Sequence, residues 1–428
     1  MKEETKRFVK SKFEEYYRRA KLKVPKDFGM REWGFVLFDG YFPEKLVMRR
    51  HKSFASKEDL VNYLRENAPA HAYYSSALYK YSAADMANKG WLGADLIFDL
   101  DADHIVSEAE FQRYSYEEML ELVKLETLKL IDFLNDDFGF EDEDIKLVFS
   151  GSRGYHIHIK TEEVRGLGSR ERREIVDYVM ATGLEMKMVL VGKTATANYG
   201  VRELRRCTEC NKVTTKMICP ACGRDTIKVE GKIGKEGRDV RLLASEGWGR
   251  RLRKGLPDFF ITEIMGRSDE EGLKKLREMG VTKEMAKKIV NMTKEEGMTK
   301  RIERMAGGKL GFLPMQVWDK IVEREKVKSA DRVDEPVTAD IKRLIRMPTS
   351  LHGKSSLVVK PLRIETFKDF DPLEDAVVFG DSPVDISVAR DSSIKMKGER
   401  YKVEEGEVAS VPEHIALYFM CRGVAEKA

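Results

Sequence analysis

The chain has 428 residues, of which 42% are hydrophobic and 35% are charged. This length allows two or three domains, or one large α/β domain with an insertion. Because apolar residues recur throughout with helical and strand periods, the composition excludes a disordered chain. No run reaches the ~18 uninterrupted apolar residues of a membrane span, and residues 1–20 lack the apolar segment of a secretory signal. These features predict a cytoplasmic protein, and the formal net charge of +4 is too small to identify its partner.

Periodicity and turn residues predict the secondary structure in chain order. Up to residue 187 the predicted elements are a helix over 3–20, strands over 34–38 and 45–54, a short helix with Ser56 as N-cap, a strand over 94–101, a helix over about 115–135, strands over 145–151 and 155–160, and a helix over about 169–187. Residues 257–325 show amphipathic helical patterns with glycine-rich breaks. Beyond Asp331 the predicted elements are a helical segment, IKRLIR (341–346), strands over 355–362 and 375–380, and a final helix in PEHIALYFMCRGVAEK.

The first motif is ADLIFDLDADH, an apolar strand that carries acids at its end. Its period-two spacing puts Asp99, Asp101 and Asp103 on one side of the extended chain, roughly 6.5–7 Å apart per pair. Carboxylates this close repel each other unless a divalent cation lies between them, and hard oxygen ligands suit Mg²⁺. The alternative is that these acids simply end the strand in solvent.

The second motif is SGSRGYHIHIK, over residues 150–160. Its glycines permit a tight turn whose backbone N–H groups can bind phosphate oxygens. Ser150 adds a hydroxyl donor, and Arg153 can pair bidentately with a phosphate. His156 and His158 lie on the same side of the following strand; we assign His156 to the site and interpret His158 as a core residue.

The third motif is VDEPVTADIKRLIRMPTSLHGKSSLVVK, over residues 333–360. Asp334 precedes the segment IKRLIR, and Ser350, His352 and Lys354 alternate, so they are predicted to share one face of a strand. Each of the cations could be an ordinary solvated side chain. A carboxylate, several cations and a histidine within one segment favour a binding site instead.

Taken in order, FDLD, SGSRGYHIH and DEPVT…RLIRMPTSLHGKSS resemble the motifs of the catalytic small subunit of archaeal and eukaryotic DNA primases, most of all the archaeal branch. The resemblance covers roughly residues 30–362, with gaps. It implies an α/β fold with a primase-type mixed β-sheet core flanked by helices, to which the cysteine spacing and the helical patterns of this sequence add a zinc-ribbon segment and an inserted helical subdomain. The expected domains are a discontinuous catalytic core (1–200 and 328–428), a zinc ribbon (201–230) and a helical subdomain (255–326).

The resemblance also implies which residues form the site. The metal-binding carboxylates would be Asp99, Asp101 and Asp334. Nucleotide contacts would come from Ser150, Arg153, His156, Arg346, His352 and Lys354. A further contact would come from Arg50, because MRRHKSF resembles an N-terminal strand segment of the family. Asp103 receives no role.

The function implied is that of a DNA primase, which synthesises short primers on single-stranded DNA from nucleoside triphosphates by two-metal nucleotidyl transfer. The enzyme would have RNA polymerase activity, with DNA polymerase activity as a further expectation, and its catalytic metals would be Mg²⁺ or Mn²⁺. Its partner would be a primase large subunit in a heterodimer, and its location the archaeal cytoplasm. Two alternatives stay open. One is an end-joining polymerase of the same superfamily, which shares the first two motifs; the other is a zinc-ribbon nucleic-acid-binding subunit without catalysis.

Four of the five cysteines form the pattern C-x₂-C-x₈-C-x₂-C, at Cys207, Cys210, Cys219 and Cys222. Two such pairs are typical of a closed structural zinc site; the alternative is a redox or disulfide pair. Primase small subunits typically carry their zinc ligands between the first two motifs, whereas residues 104–149 of this chain contain no cysteine. The zinc assignment therefore depends on spacing alone.

A basic strip over residues 228–254 follows the cysteines, with nine Lys or Arg against four Asp or Glu. Trp248 lies within it. Cations together with an aromatic side chain favour binding of single-stranded nucleic acid, because phosphates meet the cations and bases stack on rings. The alternative is a solvated charged face.

Overall fold

The computed structural model describes residues 1–105, 113–193, 205–210, 212–214, 216–228, 240–243, 246–293, 313–328 and 338–428. The chain divides into two compact units: the first is formed by Met1–Met180 and Val327–Ala428, the second by Ala181–Lys326. In the described ranges, the structure contains no helix that is long and apolar enough to cross a membrane.

The strands and helices are numbered here in chain order over the described residues. The strands are β1 (Trp33–Val36), β2 (Met48–Lys52), β3 (His71–Ser75), β4 (Ala77–Tyr79), β5 (Trp91–Ala94), β6 (Leu96–Asp101), β7 (Ile145–Phe149), β8 (Gly154–Ile159), β9 (Leu190–Lys193), β10 (Arg205–Cys207), β11 (Val213–Thr214), β12 (Thr226–Lys228), β13 (Val240–Leu243), β14 (Leu344–Arg346), β15 (Lys360–Leu362), β16 (Pro383–Val388), β17 (Ser392–Met396), β18 (Glu399–Val403), β19 (Val408–Pro412) and β20 (Ala425–Lys427). The helices are α1 (Glu3–Arg19), α2 (Lys57–Asn67), α3 (Ala102–Ile105), α4 (Tyr116–Asp136), α5 (Glu162–Arg165), α6 (Ser169–Val179), α7 (Met186–Val189), α8 (Gly247–Phe260), α9 (Asp269–Glu278), α10 (Lys283–Thr293), α11 (Met315–Glu325), α12 (Pro372–Asp375) and α13 (Glu413–Cys421).

Two four-stranded antiparallel sheets form the centre of the first unit. Their strand orders are β14-β3-β1-β2 and β15-β7-β8-β6. The β6 strand pairs with β8 so that Asp99 lies opposite His156 and Asp101 opposite Gly154. The first and second motifs are therefore neighbours in one sheet, and helix α4 packs against both strands.

A buried ion pair joins the two sheets. Arg31 precedes β1 in one sheet and is fully buried, and its guanidinium lies 2.8 Å from a carboxylate oxygen of Asp95, which precedes β6 in the other. The same guanidinium donates to the backbone oxygen of Ser75, at the end of β3, over 2.7 Å. Removing one partner of such a buried pair leaves an uncompensated charge, so these contacts fix the two sheets against each other.

Local sequence accounts for the elements that flank the sheets. The helix α1 buries Val9, Phe13 and Tyr17, which are four residues apart and share one face. The helix α2 begins at a capping box in which Ser56 and Asp59 satisfy each other's backbone N–H groups, as predicted for Ser56. The helix α13 is buried along its whole length.

The second unit holds the cysteines. The three-stranded antiparallel sheet β11-β10-β12 carries Cys207, and β9 pairs with β13 in a separate two-stranded sheet. Helices α8 to α11 belong to the same unit, in agreement with the helical patterns expected over 257–325.

Five local predictions were wrong. The segment IKRLIR forms no helix, and its last three residues are strand β14, because they pair with β3 at the edge of a sheet. Residues 375–380 contain the end of α12 and no strand, and of 355–362 only β15 is a strand. The helix expected over 169–187 ends at Val179, where Ala181 and Gly183 adopt positive φ. Trp248 is 5% exposed within α8, so it is not available to stack on a base.

Candidate active site

A cavity of about 700 Å³ in the first unit brings the motifs together. Both central sheets contribute to it. The predicted site residues that line it are Asp99, Asp101, Ser150, Arg153, His156, Arg346, His352 and Lys354. The other charged or aromatic residues of the lining are His71, Tyr73, Arg343 and Arg422.

The two carboxylates lie at the end of β6, each beside a cation. Asp99 has one oxygen 3.4 Å from Nε2 of His156 and the other 3.7 Å from the guanidinium of Arg343. Asp101 lies 3.6 Å from the guanidinium of Arg153. Burial raises the pKa of Asp101, and this effect exceeds the lowering by Arg153. Asp101 is a buried carboxylate that lies near a second carboxylate, Asp99. A divalent cation bound there would stabilise the negative charge of Asp101.

The turn between β7 and β8 carries the second motif. Ser150 closes the turn by donating its backbone N–H to Gly154 over 2.9 Å. Its hydroxyl is buried, and no described residue makes a hydrogen bond with it, so it is available to a ligand in the cavity. Gly151 has φ of 87°, and a Cβ there would lie 2.8 Å from Cβ of His352. Only glycine allows the second and third motifs to approach this closely.

The third motif forms an irregular loop, in which Thr349 and Ser356 have positive φ. Residues other than glycine rarely adopt this conformation, and when they do, functional loops are a common location. The loop places His352 and Lys354 in the lining, but Ser350 is buried and donates its hydroxyl to the backbone oxygen of Met347 over 2.7 Å. The predicted common face of all three residues is therefore wrong, because the segment bends instead of extending.

The histidines of the cavity are neutral. Burial lowers the pKa of His156 to about 4 and that of His352 well below its ordinary value. Nδ1 of His352 accepts the backbone N–H of Lys354 over 3.3 Å, so the proton of the neutral ring is on Nε2. His352 can thus donate a hydrogen bond to a phosphate without carrying a charge.

Of the predicted site residues that the structure describes, Arg50 is not in the lining. Arg50 on β2 pairs with the buried carboxylate of Glu32, with 2.9 Å between Nε and the nearer oxygen, and its assignment as a nucleotide contact stays a prediction. Asp334 lies outside the described residues. Lys328 and Thr338, on either side of the undescribed 329–337, both line a small cavity of about 70 Å³ that Asp99 also lines.

Sequence reasoning missed four lining residues: His71, Tyr73, Arg343 and Arg422. His71 and Tyr73 alternate in β3, and this alternation was the available signal for a shared face. Tyr73 accepts a hydrogen bond of 2.8 Å from the guanidinium of Arg346, which lies opposite it on β14. For Arg343 and Arg422 no sequence signal distinguished them from solvated cations.

In the second unit the four cysteines form one cluster. Their sulfurs all lie within 4.8 Å of one another, with pairs such as Cys207 and Cys222 at 3.4 Å. Tetrahedral zinc–thiolate bonds put sulfurs roughly 3.8 Å apart, so the cluster fits a zinc ion. Backbone N–H groups of Ala221 and Cys222 lower the pKa of Cys219 to about 6, which favours the thiolate that a metal requires.

Comparison with known proteins gives the same family as the motifs. The family model described as DNA primase small subunit matches residues 98–364. The DNA primase small subunit PriS of Methanococcoides burtonii is 43% identical over 426 residues, covering 99% of this chain and 98% of the relative. The corresponding proteins of Methanosarcina acetivorans and Methanocella arvoryzae are 41% and 39% identical, each over 100% of this chain.

The chain belongs to the DNA primase small-subunit family. The residues matched by the primase family model include all three motifs and the second unit with its cysteine cluster. They end before α13, so Arg422 belongs to the part of this primase small subunit that lies beyond the family match.

Proposed function

We propose that this chain is the catalytic subunit of a DNA primase, which joins nucleoside triphosphates into short primers on a single-stranded DNA template. The observation that supports this most is the content of the cavity. Five cationic side chains and two carboxylates line it. A cavity of this charge suits a nucleoside triphosphate bound together with divalent cations.

The carboxylates are the proposed metal ligands. Asp99 and Asp101 supply hard oxygen atoms, the ligand type that Mg²⁺ or Mn²⁺ takes. Bound metals would lower the pKa of the primer 3′-hydroxyl and stabilise the departing pyrophosphate. We assign Asp334 as the third ligand; in support, the described residues on both sides of its segment line the same small cavity as Asp99.

The remaining residues bind and orient the nucleotide. The Ser150 hydroxyl and the Arg153 guanidinium bind phosphate oxygens, and His352 adds a neutral donor. Lys354 contributes a point charge, while the hydroxyl of Tyr73 holds Arg346 in place. Catalysis then depends on positioning and on charge stabilisation, and no covalent intermediate with the enzyme is required.

Isosteric replacement of the carboxylates tests the proposal. We expect Asp99→Asn and Asp101→Asn each to lower incorporation of labelled nucleotide on a bare single-stranded template by about a hundredfold or more. Asp385→Asn is the control, since Asp385 is exposed on β16 and does not line the cavity. Equal incorporation by the wild type and the Asp101 variant would refute the metal assignment.

The same assay distinguishes the alternatives. Synthesis only on annealed primers would favour an end-joining polymerase, and no incorporation by the wild-type chain with either metal would favour a non-catalytic subunit. We propose a heterodimer with a primase large subunit, and the assay is therefore repeated in the presence of that subunit. Co-elution of the two chains at micromolar concentration checks that complex.

We also propose that the cysteine cluster binds one structural zinc ion and that the catalytic core is discontinuous. The four converging sulfurs support the zinc site. The two-segment composition of the first compact unit supports a core interrupted by an insertion.

A further inference from the structure

We propose that Arg422 is a phosphate-binding residue of this active site, supplied by the C-terminal helix. This inference extends the proposed function, because it concerns the same cavity. Arg422 lines the cavity together with its neighbours Cys421 and Gly423. It lies outside the three motifs and beyond the segment that the family model matches.

The backbone of Arg422 is fixed from both sides. Gly423 adopts φ of 67°, and Val424 donates its N–H to the oxygen of Phe419 over 2.8 Å, which is the Schellman ending of a helix. Directly after this turn, β20 pairs with β16. Arg390 donates to the backbone oxygen of Arg422 over 2.7 Å. The fold therefore holds this position at the cavity wall.

Two tyrosines hold the guanidinium. It lies 5.5 Å from the ring centre of Tyr116 and 5.4 Å from that of Tyr418. A guanidinium at this distance from an aromatic face is attracted to it and loses part of its freedom. Among the described residues no carboxylate pairs with it, whereas Arg153 pairs with Asp101 and Arg343 with Asp99. Arg422 donates a hydrogen bond to the hydroxyl of Tyr418 and keeps its remaining N–H donors for a ligand.

The tyrosine contact also connects Arg422 to the second motif. The hydroxyl of Tyr116 donates to the backbone oxygen of Ser152 over 2.6 Å. Ser152 lies in the turn between Ser150 and Arg153 and itself lines the cavity. Tyr116 therefore ties the turn of the second motif to the end of α13, and Arg422 extends the row of phosphate donors along this wall.

The phosphate could belong to the incoming nucleotide or to the nucleic-acid backbone, and the experiment separates the two. The full chain is compared with Arg422→Gln, Arg422→Lys and the control Lys402→Ala. Lys402 is an exposed cation on β18 that pairs with Glu404 and does not line the cavity. For each protein we measure KM for nucleoside triphosphate at saturating primed template, and Kd for primed template without nucleotide at several salt concentrations.

If the nucleotide is the ligand, Arg422→Gln raises KM for the triphosphate about tenfold and leaves Kd for DNA unchanged, since a charge-assisted hydrogen bond is lost. If the backbone is the ligand, Kd rises and the slope of log K against log salt falls by about one. Either result supports phosphate binding, and Arg422→Lys should restore part of the loss because it keeps the charge.

The proposal is overturned if Arg422→Gln changes neither constant by more than about twofold, or changes them no more than Lys402→Ala does. Thermal midpoints of all variants show that they fold. Failure of the proposed function would look different, since the wild-type chain itself would then incorporate no nucleotide. An active wild type beside an equally active Arg422→Gln rejects only the role of Arg422.

Discussion

Gly154 has no room for a side chain, because β6 passes directly beside it. A Cβ there would lie 2.1 Å from the backbone oxygen of Leu100 and 2.9 Å from Cα of Asp101. Backbone atoms at this distance cannot rotate away as a flexible side chain could. Any larger residue must therefore push β8 away from the strand that carries the carboxylates.

We expect Gly154→Ala to lower the free energy of unfolding by about 3 kcal/mol and to reduce nucleotide incorporation, since Asp101 must move with its strand. Gly166→Ala is the control, because no atom lies within 4 Å of a Cβ at that position. Urea unfolding measures both variants. A Gly154 variant as stable as the Gly166 variant would show that the strands separate without cost.

Arg343 competes with a metal for Asp99. The guanidinium of Arg343 lies 3.7 Å from the carboxylate. A divalent cation bound to Asp99 must therefore displace the guanidinium, or its binding is weakened by electrostatic repulsion. We expect Arg343→Gln to tighten Mn²⁺ binding about threefold. The electron paramagnetic resonance signal of free Mn²⁺ measures this binding. Arg400→Gln is the control, since Arg400 pairs with Glu117 outside the cavity. Weaker Mn²⁺ binding by the Arg343 variant would contradict the competition.

The residues of the site could be predicted from the sequence where a motif combines several chemical types at short spacing. Asp99 and Asp101, or Ser150 and Arg153, lie a few residues apart, so their proximity follows from local geometry. Arg422 reaches the same cavity through a helix that is distant in sequence from every motif. In the sequence, Arg422 is indistinguishable from a solvated arginine. Only the fold shows which residues lie beside its side chain.

At the scale of elements, strand β6 was predicted well and β14 was not. Apolar residues and acids alternate in FDLD, at the end of an apolar run. This pattern predicts a strand. The segment IKRLIR has helical spacing, yet its backbone pairs with β3. Tertiary pairing overrides weak local propensity. A single sequence does not reveal which strand of the sheet has an unpaired edge at which another segment can pair.

The cysteine cluster is the element for which the sequence was most specific. We expect one zinc ion per chain by atomic emission and none after Cys210→Ser, because the closed site needs four thiolates. Cys421→Ala is the control, since Cys421 belongs to the first unit and is not one of the four clustered cysteines. A Cys210 variant that retains stoichiometric zinc would contradict the assignment.

At the scale of the whole molecule, the formal net charge of +4 conceals strong local charge. Around the cavity, cations outnumber carboxylates, and the histidines beside them stay neutral. Burial lowers the pKa of His71, His158 and His352 well below the ordinary value, and the neighbouring cations lower it further. The first unit therefore folds with these rings uncharged at neutral pH.

This arrangement predicts a loss of stability in mild acid. In the unfolded chain each histidine titrates near pH 6.5, whereas the folded protein keeps His71, His158 and His352 neutral well below that pH. The unfolded state therefore binds more protons below about pH 6.5, and the free energy of unfolding falls by up to about 1.4 kcal/mol per histidine and pH unit. Above that pH the contribution is constant. Carboxylates with ordinary pKa values titrate mainly below about pH 5. Burial raises the pKa of Asp95 and Asp101, and their protonation favours the folded state as the pH falls, so a net loss of stability in this interval reports the histidines.

Scanning calorimetry at a series of pH values between about 7.5 and 5 measures this effect. We expect the thermal midpoint to be constant at the upper end and to fall below about pH 6.5. His158→Leu should flatten that fall, because both ring nitrogens of His158 are buried without a hydrogen-bond partner among the described residues, and leucine has no group to protonate. A midpoint that is independent of pH over this range, or a slope unaltered by His158→Leu, would show that the buried rings accept protons in the folded protein.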